Sequence, residues 1–284
     1  MDDEGYFGPD SVSWRVHREV TVLFGGARAV LLQAAHPLVI AGAAQTGMYE
    51  RNPWRRLQRT LMLQYAITFG TRREAIAAAA RINDVHERIH GTDPVTGRPF
   101  DALDPALLLW VHACLVDSAL LFERLTVGAL DDAGRQRFHD EQIVAAELLR
   151  LPRERIPATV PELEAYVAET ARSGDLVVTD AARRVAGLFS DPPRDAQWRP
   201  VLRLVAHLAF ASLPDDVREA YGYRLGPTRA AAVRAAFRAI RTLRPLLPPS
   251  IRFIEPYRRW QRSPRGERSD DRPGQLRRSL GIRT

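Results

Sequence analysis

The residues most suggestive of chemistry are two histidines four positions apart, His86 and His90, with Glu87 directly after the first. They match the pattern H-E-x-x-H, which on a helix is typical of zinc metallohydrolases. Histidines at i and i+4 leave one helical face and can share a metal ion, while the glutamate acts as general base. One hypothesis is therefore a zinc hydrolase that uses these three residues.

The surrounding sequence lacks the usual third ligand of a catalytic zinc ion. The extended pattern H-E-x-x-H-x-x-G-x-x-H requires glycine and histidine where this chain has Asp93 and Thr96. Glu123 is the remaining carboxylate at a suitable spacing on another predicted helix. The zinc hydrolase stays open as the third of three hypotheses.

The helical pattern distinguishes the two histidines. Ile82, Val85, His86 and Ile89 fall at i, i+3, i+4 and i+7, the apolar stripe of an amphipathic helix, which points His86 into the core. His90 is predicted to close the same helix. An inward His86 has two interpretations: a hydrogen-bonded structural histidine, or the single protein ligand of a haem iron that faces an apolar cavity.

The preceding helix carries a polar group of side chains that could serve such an iron. Arg56 and Thr60 stand four residues apart, hence on one face, with Arg59 beside them in "NPWRRLQRTLMLQYAITFG". Side chains of this kind can hydrogen-bond an iron-bound oxygen. The alternative is a solvated arginine face with an ordinary threonine.

The periodicity of the chain predicts the scaffold that must position these residues. Nearly every segment repeats its apolar residues with a period near 3.6, and no alternation with period 2 is long enough for a convincing strand. The predicted fold is all-α, a single compact bundle of roughly ten helices. Capping residues, glycines and prolines predict helices at 13–24, 27–44, 54–69, 72–90, 105–126 and 131–150, further starts near 159, 179, 195 and 214, and a last helix at 227–244.

Composition excludes several classes of chemistry. The chain of 284 residues has one cysteine, Cys114, and all 41 of its basic residues are arginine. A lone cysteine excludes internal disulfides and thiolate zinc cages, and the lack of lysine excludes Schiff-base and P-loop chemistry. The apolar runs fall short of the ~20 residues that span a bilayer, and the acidic N-terminus has no signal-peptide character. We expect a cytoplasmic protein without a transmembrane segment.

The net charge of +7 belongs to the C-terminal end of the chain. Residues 251–284 hold ten arginines and four acidic residues, a balance of +6, which leaves +1 for the other 250 residues. We expect an N-terminal extension (1–11), a helical domain (12–248) and an Arg-rich tail (249–284) polar enough to be disordered. This distribution argues against a specific nucleic-acid partner and leaves open a weak contact of the tail with a membrane surface.

The order of the motifs resembles a known family. The runs "AAHPLVIAGAAQTGMY", "NPWRRLQRTLMLQYAITFG" and "RINDVHERIHGTDPVTGRPFDALDPALLLWVH", within residues 12–245, resemble the MpaB-type oxygenases and the catalytic domain of rubber oxygenase (latex-clearing protein). The resemblance implies an all-helical fold, a b-type haem and O2-dependent oxidation of an apolar, unsaturated substrate.

The resemblance also implies roles for individual residues. The motif R-x-x-x-x-H of the rubber-cleaving members falls on Arg81 and His86, which makes His86 the proximal iron ligand. Their distal arginine and threonine fall on Arg56 and Thr60, and Arg59 stands where they carry a lysine. Arg59 keeps the positive charge but does not release a proton near neutral pH.

Two further histidines are candidates for the cofactor pocket. His36 lies roughly where the rubber-cleaving members carry a catalytic carboxylate, and His112 lies in the apolar run "LLLWVHACL". Each is either a core histidine or part of the cofactor pocket. The expected function is a haem-b-dependent oxygenase that acts with O2 on a small apolar substrate. The alternative is a non-catalytic haem or apolar-ligand binding protein of the same fold.

Overall fold

The computed structural model describes residues 4–47, 53–191 and 199–262, with the side chains of 53–58, 260 and 262 left out, and its helices confirm the all-α prediction. The first half contains α1 (Val12–His17), α2 (Val20–Leu23), α3 (Gly25–Ala35), α4 (Pro37–Gln45), α5 (Pro53–Phe69), α6 (Arg72–His86), and the strands β1 (His90–Thr92) and β2 (Pro99–Asp101). The second half contains α7 (Pro105–Thr126), α8 (Asp132–Leu148), α9 (Val160–Arg172), α10 (Asp180–Ser190), α11 (Arg199–Ala211), α12 (Asp215–Ala220), α13 (Pro227–Leu243), α14 (Pro249–Arg252) and α15 (Glu255–Arg262), with short 3₁₀ turns at Arg153–Arg155 and Arg244–Leu246.

Helix α7 lies at the centre of the bundle. Its buried side chains, which include Trp110, Val116 and Phe122, point in several directions around the axis. A helix that is apolar all round is stable only when other elements cover it, and α2, α3, α8, α9 and α13 pack against it. By length and composition α7 is also apolar enough to cross a membrane, and 56% of its most apolar stretch is buried inside the protein.

The apolar run predicted as one helix over 27–44 is two helices. Helix α3 ends at Ala35, α4 begins at Pro37, and His36 between them has extended backbone (φ −83°, ψ 115°). Proline disfavours helical backbone in the residue before it, which explains the break. The segments on either side meet at 100°, and the bend directs α4 against the β1–β2 hairpin.

Gly25 and Gly26, predicted to break a helix, instead open α3. A Cβ atom on Gly25 would lie 2.7 Å from the carbonyl oxygen of Ser118 and 3.2 Å from the ring of Phe122. The glycine therefore permits the close approach of α3 to α7. The helix predicted at 13–24 is interrupted at Glu19, which has extended backbone between α1 and α2.

Helix starts follow the capping signals of the sequence. Side chains predicted to cap helices do accept the expected backbone hydrogen bonds, and two of them form complete capping boxes with a glutamate. The capping residues are Thr71 for α6, Asp131 for α8, Thr159 for α9 and Thr179 for α10.

The beginning of the predicted disordered tail is ordered. Residues 249–262 form α14 and α15, and Ile254 and Tyr257 are buried in one cluster with Phe7 and Trp14 of the N-terminal segment. The rest of the predicted tail, 263–284, lies outside the described residues. The boundary placed at 248 therefore cuts through a segment that packs on the bundle.

A buried carboxylate, that of Glu19, ties this C-terminal segment to the junction of α1 and α2. Glu19 is 1% exposed and accepts hydrogen bonds from Arg244 Nη1 at 2.7 Å and Arg252 Nη2 at 2.9 Å. The neighbouring Arg18 lies over the rings of Phe253 and Tyr257, 5.3 and 5.2 Å from their centroids. One acidic side chain thus anchors both ends of the loop between α13 and α15.

Glu19→Gln should lower the free energy of unfolding by about 3 kcal/mol, because it leaves the buried guanidinium of Arg244 without its counter-charge. Urea denaturation of the full chain measures the loss. The matched control is Glu255→Gln, whose carboxylate pairs with Arg258 and Arg259 at a partly exposed position and should cost less than about 1 kcal/mol. Equal losses in the two variants would contradict the assignment of Glu19 as the anchor.

Candidate functional site

Four of the predicted site residues, namely Arg56, Arg59, Thr60 and His86, lie on a helical hairpin. Only Gly70 and Thr71 separate α5 from α6, and the two helices pack on one another, so they run antiparallel. Counted outward from this turn, Arg56 in α5 is level with Val85 in α6. The first turns of α5, with Arg56, Arg59 and Thr60, therefore lie at the same end of the hairpin as His86.

The side chains at this end differ in their burial. Arg59 and Thr60 are exposed, whereas His86 is half-buried and its Nδ1 atom is enclosed by protein. Arg81, the other residue of the R-x-x-x-x-H motif, is exposed. The side chain of Arg56 lies outside the described part of the structure, although its backbone is helical. His86 is thus the predicted residue nearest to the protein interior at this end.

The buried face of α6 differs from the predicted stripe. Ala75, Ala79 and Asn83 are buried at i, i+4 and i+8, whereas Val85 is 41% exposed. Asn83 donates from Nδ2 to the carbonyl oxygen of Leu148, the last residue of α8, at 3.0 Å. The prediction of an inward Val85 is wrong because this helix packs through small alanines and one buried amide, which a search for large apolar residues overlooks.

His90 does not close the helix that holds His86. Helix α6 ends at His86, and after a turn His90 pairs with Asp101 in the antiparallel β1–β2 hairpin, where it is exposed. The spacing of four therefore does not place both imidazoles on one helical face. Glu87, the supposed general base, forms an ion pair with Arg150 at 2.7 Å.

These positions overturn the zinc hydrolase hypothesis for His86, Glu87 and His90. Within the ranges that the structure describes, no three His, Cys, Asp or Glu side chains form a group able to hold a metal ion. The other carboxylate considered as a ligand, Glu123, is buried and accepts a hydrogen bond from the backbone N–H of Ala129 at 2.8 Å. That contact assigns Glu123 to the turn after α7.

His36 and His112 lie on different sides of α7. The ring of His36 is 6.5 Å from that of Trp110, and His112, two residues further along, leaves the helix about 200° away from Trp110. Burial, and next the proximity of His139 of α8, lower the pKa of His112 to about 3. The two histidines therefore do not line one common pocket.

Both histidines are neutral near pH 7. Burial, and next the charge of Arg98, lower the pKa of His36. His36 Nδ1 and His112 Nε2 are enclosed and accept or donate no hydrogen bond to any residue that the structure describes. These two nitrogen atoms therefore do not support the interpretation of His36 and His112 as hydrogen-bonded core histidines. A role of either residue in a cofactor pocket stays a prediction.

Sequence reasoning missed the polar contacts that hold α5 in place. Gln142 of α8 donates to the hydroxyl of Ser13 at 2.8 Å, and Gln64 of α5 donates to Gln142 at 3.2 Å and to Thr68 at 3.1 Å. Buried polar groups of this kind are stable only when hydrogen-bonded. No short-range pattern reveals them, because the partners are 78 and 129 residues apart.

Acidification below pH 6.5 should destabilise the fold through its buried histidines. The pKa of His17 is lowered to about 4 by burial and that of His112 to about 3. As the pH falls, these histidines are therefore protonated in the unfolded chain before they are protonated in the folded protein. Their contribution to stability is complete above pH 6.5 and is lost as the pH falls through about 4 and 3. Each histidine should add up to about 1.4 kcal/mol per pH unit to the slope.

The measurement is the free energy of unfolding, from urea titrations between pH 7 and pH 4. His112→Leu should flatten its dependence on pH by close to one proton, while His90→Leu, at an exposed position, should leave the slope unchanged. Identical slopes for the wild type and His112→Leu would disprove the assignment.

Comparison with known proteins gives one match. Residues 14–242 match the family model described as "ER-bound oxygenase mpaB/B'/Rubber oxygenase, catalytic domain". The matched range begins in α1, ends in α13 and includes the whole α5–α6 hairpin. No curated protein and no solved structure matches the chain.

Proposed function

We propose that this protein is a haem-dependent oxygenase, and the premise is its family: the chain belongs to the ER-bound oxygenase mpaB/B'/rubber oxygenase catalytic domain family. The family match covers 14–242, most of the chain, and it supports an oxygenase-like activity. To that class we add haem b as the cofactor and a small apolar, unsaturated molecule as the substrate.

His86 is the residue that would bind the haem iron. Its imidazole is half-buried at the end of α6, and its Nδ1 atom is enclosed by protein. One histidine as the protein ligand suits an iron whose macrocycle already supplies four nitrogens. When bound, the haem would supply the oxygen chemistry, and the protein would set the axial ligand and the polarity around it.

The polar side chains of α5 would hold the oxygen or the polar end of a substrate. The hydroxyl of Thr60 can donate one hydrogen bond, and the guanidinium groups of Arg56 and Arg59 carry a permanent positive charge. Arg59 and Thr60 are exposed at the end of the hairpin that holds His86, so a ligand can reach them without moving the bundle core. Their role is to orient and stabilise negative charge.

An apolar cluster begins three residues after His86. Ile89 packs with the buried side chains of Leu38, Phe100 and Leu107. This cluster joins α4, the β hairpin and the start of α7, and its apolar character is the reason that we propose an apolar substrate.

Purified protein reconstituted with haem b should show a Soret band that His86→Ala abolishes or shifts by several nanometres, because the axial ligand is lost. The matched control is His90→Ala, four residues further on and exposed in β1, which should leave the spectrum unchanged. If both variants keep the wild-type spectrum, His86 is not the ligand.

Oxygenase activity would appear as O2 consumption in the presence of an unsaturated apolar compound. Arg56→Ala and Thr60→Val should each reduce the rate about 10²-fold, as is typical for removal of one preorganised donor. Arg73→Ala, an exposed arginine at the opposite end of α6, is the control and should not change it. Stable haem binding without O2 consumption for any such compound would favour the non-catalytic haem protein.

A further inference from the structure

Helix α13 and the loop after it form a segment rich in arginine. Residues 220–254 contain seven arginines and no Asp or Glu. Phe237 anchors the inner face of α13, 5.6 Å from the ring of Phe122, whereas Arg234, Arg238 and Arg241 are exposed on the outside. Arg241 lies near Glu123 of α7, and Arg234 and Arg238 give the outer face of this helix its positive charge.

The loop that follows exposes four large apolar side chains. Leu243, Leu246, Leu247 and Ile251 are 55%, 78%, 39% and 58% exposed, all within nine residues. Single exposed leucines are ordinary, but a contiguous apolar patch marks a surface that meets another apolar phase. We call residues 243–251 the apolar tip.

Ion pairs and prolines restrict the conformation of the apolar tip. Arg244 and Arg252, at its two ends, both bind the buried carboxylate of Glu19. Between them Pro245, Pro248 and Pro249 fix three backbone φ angles. The exposed leucines are thus held by a stiff loop, so that little conformational entropy is lost when they bind.

We propose that α13 and the apolar tip dock the protein on the surface of a membrane that contains anionic lipid. The tip would insert its leucines and isoleucine among the acyl chains near the headgroups, and the arginines of α13 would bind lipid phosphates. Amphipathic basic surfaces bind in this way, with about 1 kcal/mol from each cation near an anionic leaflet.

Charge complementarity selects this partner over the alternatives. A nucleic acid would use the arginines but not the four exposed apolar side chains, and a second copy of the chain would bring two positively charged arginine surfaces together. The sequence after residue 262 adds six arginines and three acidic residues, so the net positive charge continues beyond α15. An anionic bilayer is the partner that uses both the charge and the apolar tip.

The test is co-sedimentation of the full chain with phosphatidylcholine vesicles, with and without about one third phosphatidylglycerol. The wild type should bind the anionic vesicles at least tenfold more tightly. Leu246→Ser/Ile251→Ser and Arg234→Gln/Arg238→Gln should each weaken that binding about tenfold or more, and about 0.5 M NaCl should remove the contribution of the arginines.

Matched controls change the same side-chain types elsewhere on the surface. Val95→Ser, at an exposed loop position, and Arg137→Gln/Arg155→Gln, at exposed positions of α8 and the turn after it, should bind like the wild type. Equal binding by all variants would overturn the proposal, as would equal binding to both kinds of vesicle. The proposal would also fail if Leu246→Ser/Ile251→Ser converts a dimer to a monomer without affecting vesicle binding. It would fail as well if Arg234→Gln/Arg238→Gln loses RNA binding but keeps wild-type vesicle binding. None of these outcomes depends on haem.

Discussion

The whole bundle depends on the burial of α7. A helix with apolar side chains in every direction cannot lie at a surface, so its neighbours must enclose it. Its polar groups are neutralised locally: Asp117 pairs with Arg28 at 2.6 Å, and Arg28 also donates to the carbonyl oxygen of Ser212 at 2.9 Å. Gly25 lets α3 approach closely enough for this pair to form inside the protein. The ion pair and the glycine are thus consequences of one buried helix.

The candidate site lies on a unit that is attached to this core rather than built into it. Helices α5 and α6 pack on each other and on α1, α8 and α15. Apolar side chains of the hairpin, such as Tyr65 and Ile67, are buried in a cluster with Trp14. Polar contacts from Gln64 to Gln142 and from Asn83 to the end of α8 add direction to this packing. Directional hydrogen bonds between elements specify one orientation of the hairpin, whereas apolar packing alone tolerates several. This separation lets polar residues such as Arg59 and Thr60 remain exposed without disturbing the bundle.

The sequence predicted the features that are encoded locally. Helix class, most helix starts and the start signals at Thr71 and Thr159 depend on residues three or four apart, and all are confirmed. The incorrect predictions concern features that depend on tertiary contacts. The β1–β2 hairpin has only three residues in each strand, too few for a period of two to be visible, and it removes His90 from the helix.

Other differences also depend on distant partners. The ordered segment 249–262 is tied to Glu19, more than 220 residues away in sequence. The composition of the segment does not show this distant partner, and for that reason it predicted disorder. Near the end of α6, Asn83 contacts the last residue of α8 and Glu87 pairs with Arg150, and a periodic pattern reveals neither contact. For the candidate site, the sequence predicted that the residues lie on two consecutive helices, but their burial could come only from the packed structure.

The chemistry of the described side chains constrains where protons would come from in the proposed reaction. Arg59 stays protonated at any ordinary pH, and the low pKa values of His36 and His112 leave both imidazoles without a proton to release near pH 7. His86, as the proposed iron ligand, is occupied as well. Thr60 is exposed, so solvent reaches the α5 side of the hairpin. The arginines would therefore stabilise charge, and water beside Thr60 would be a source of protons.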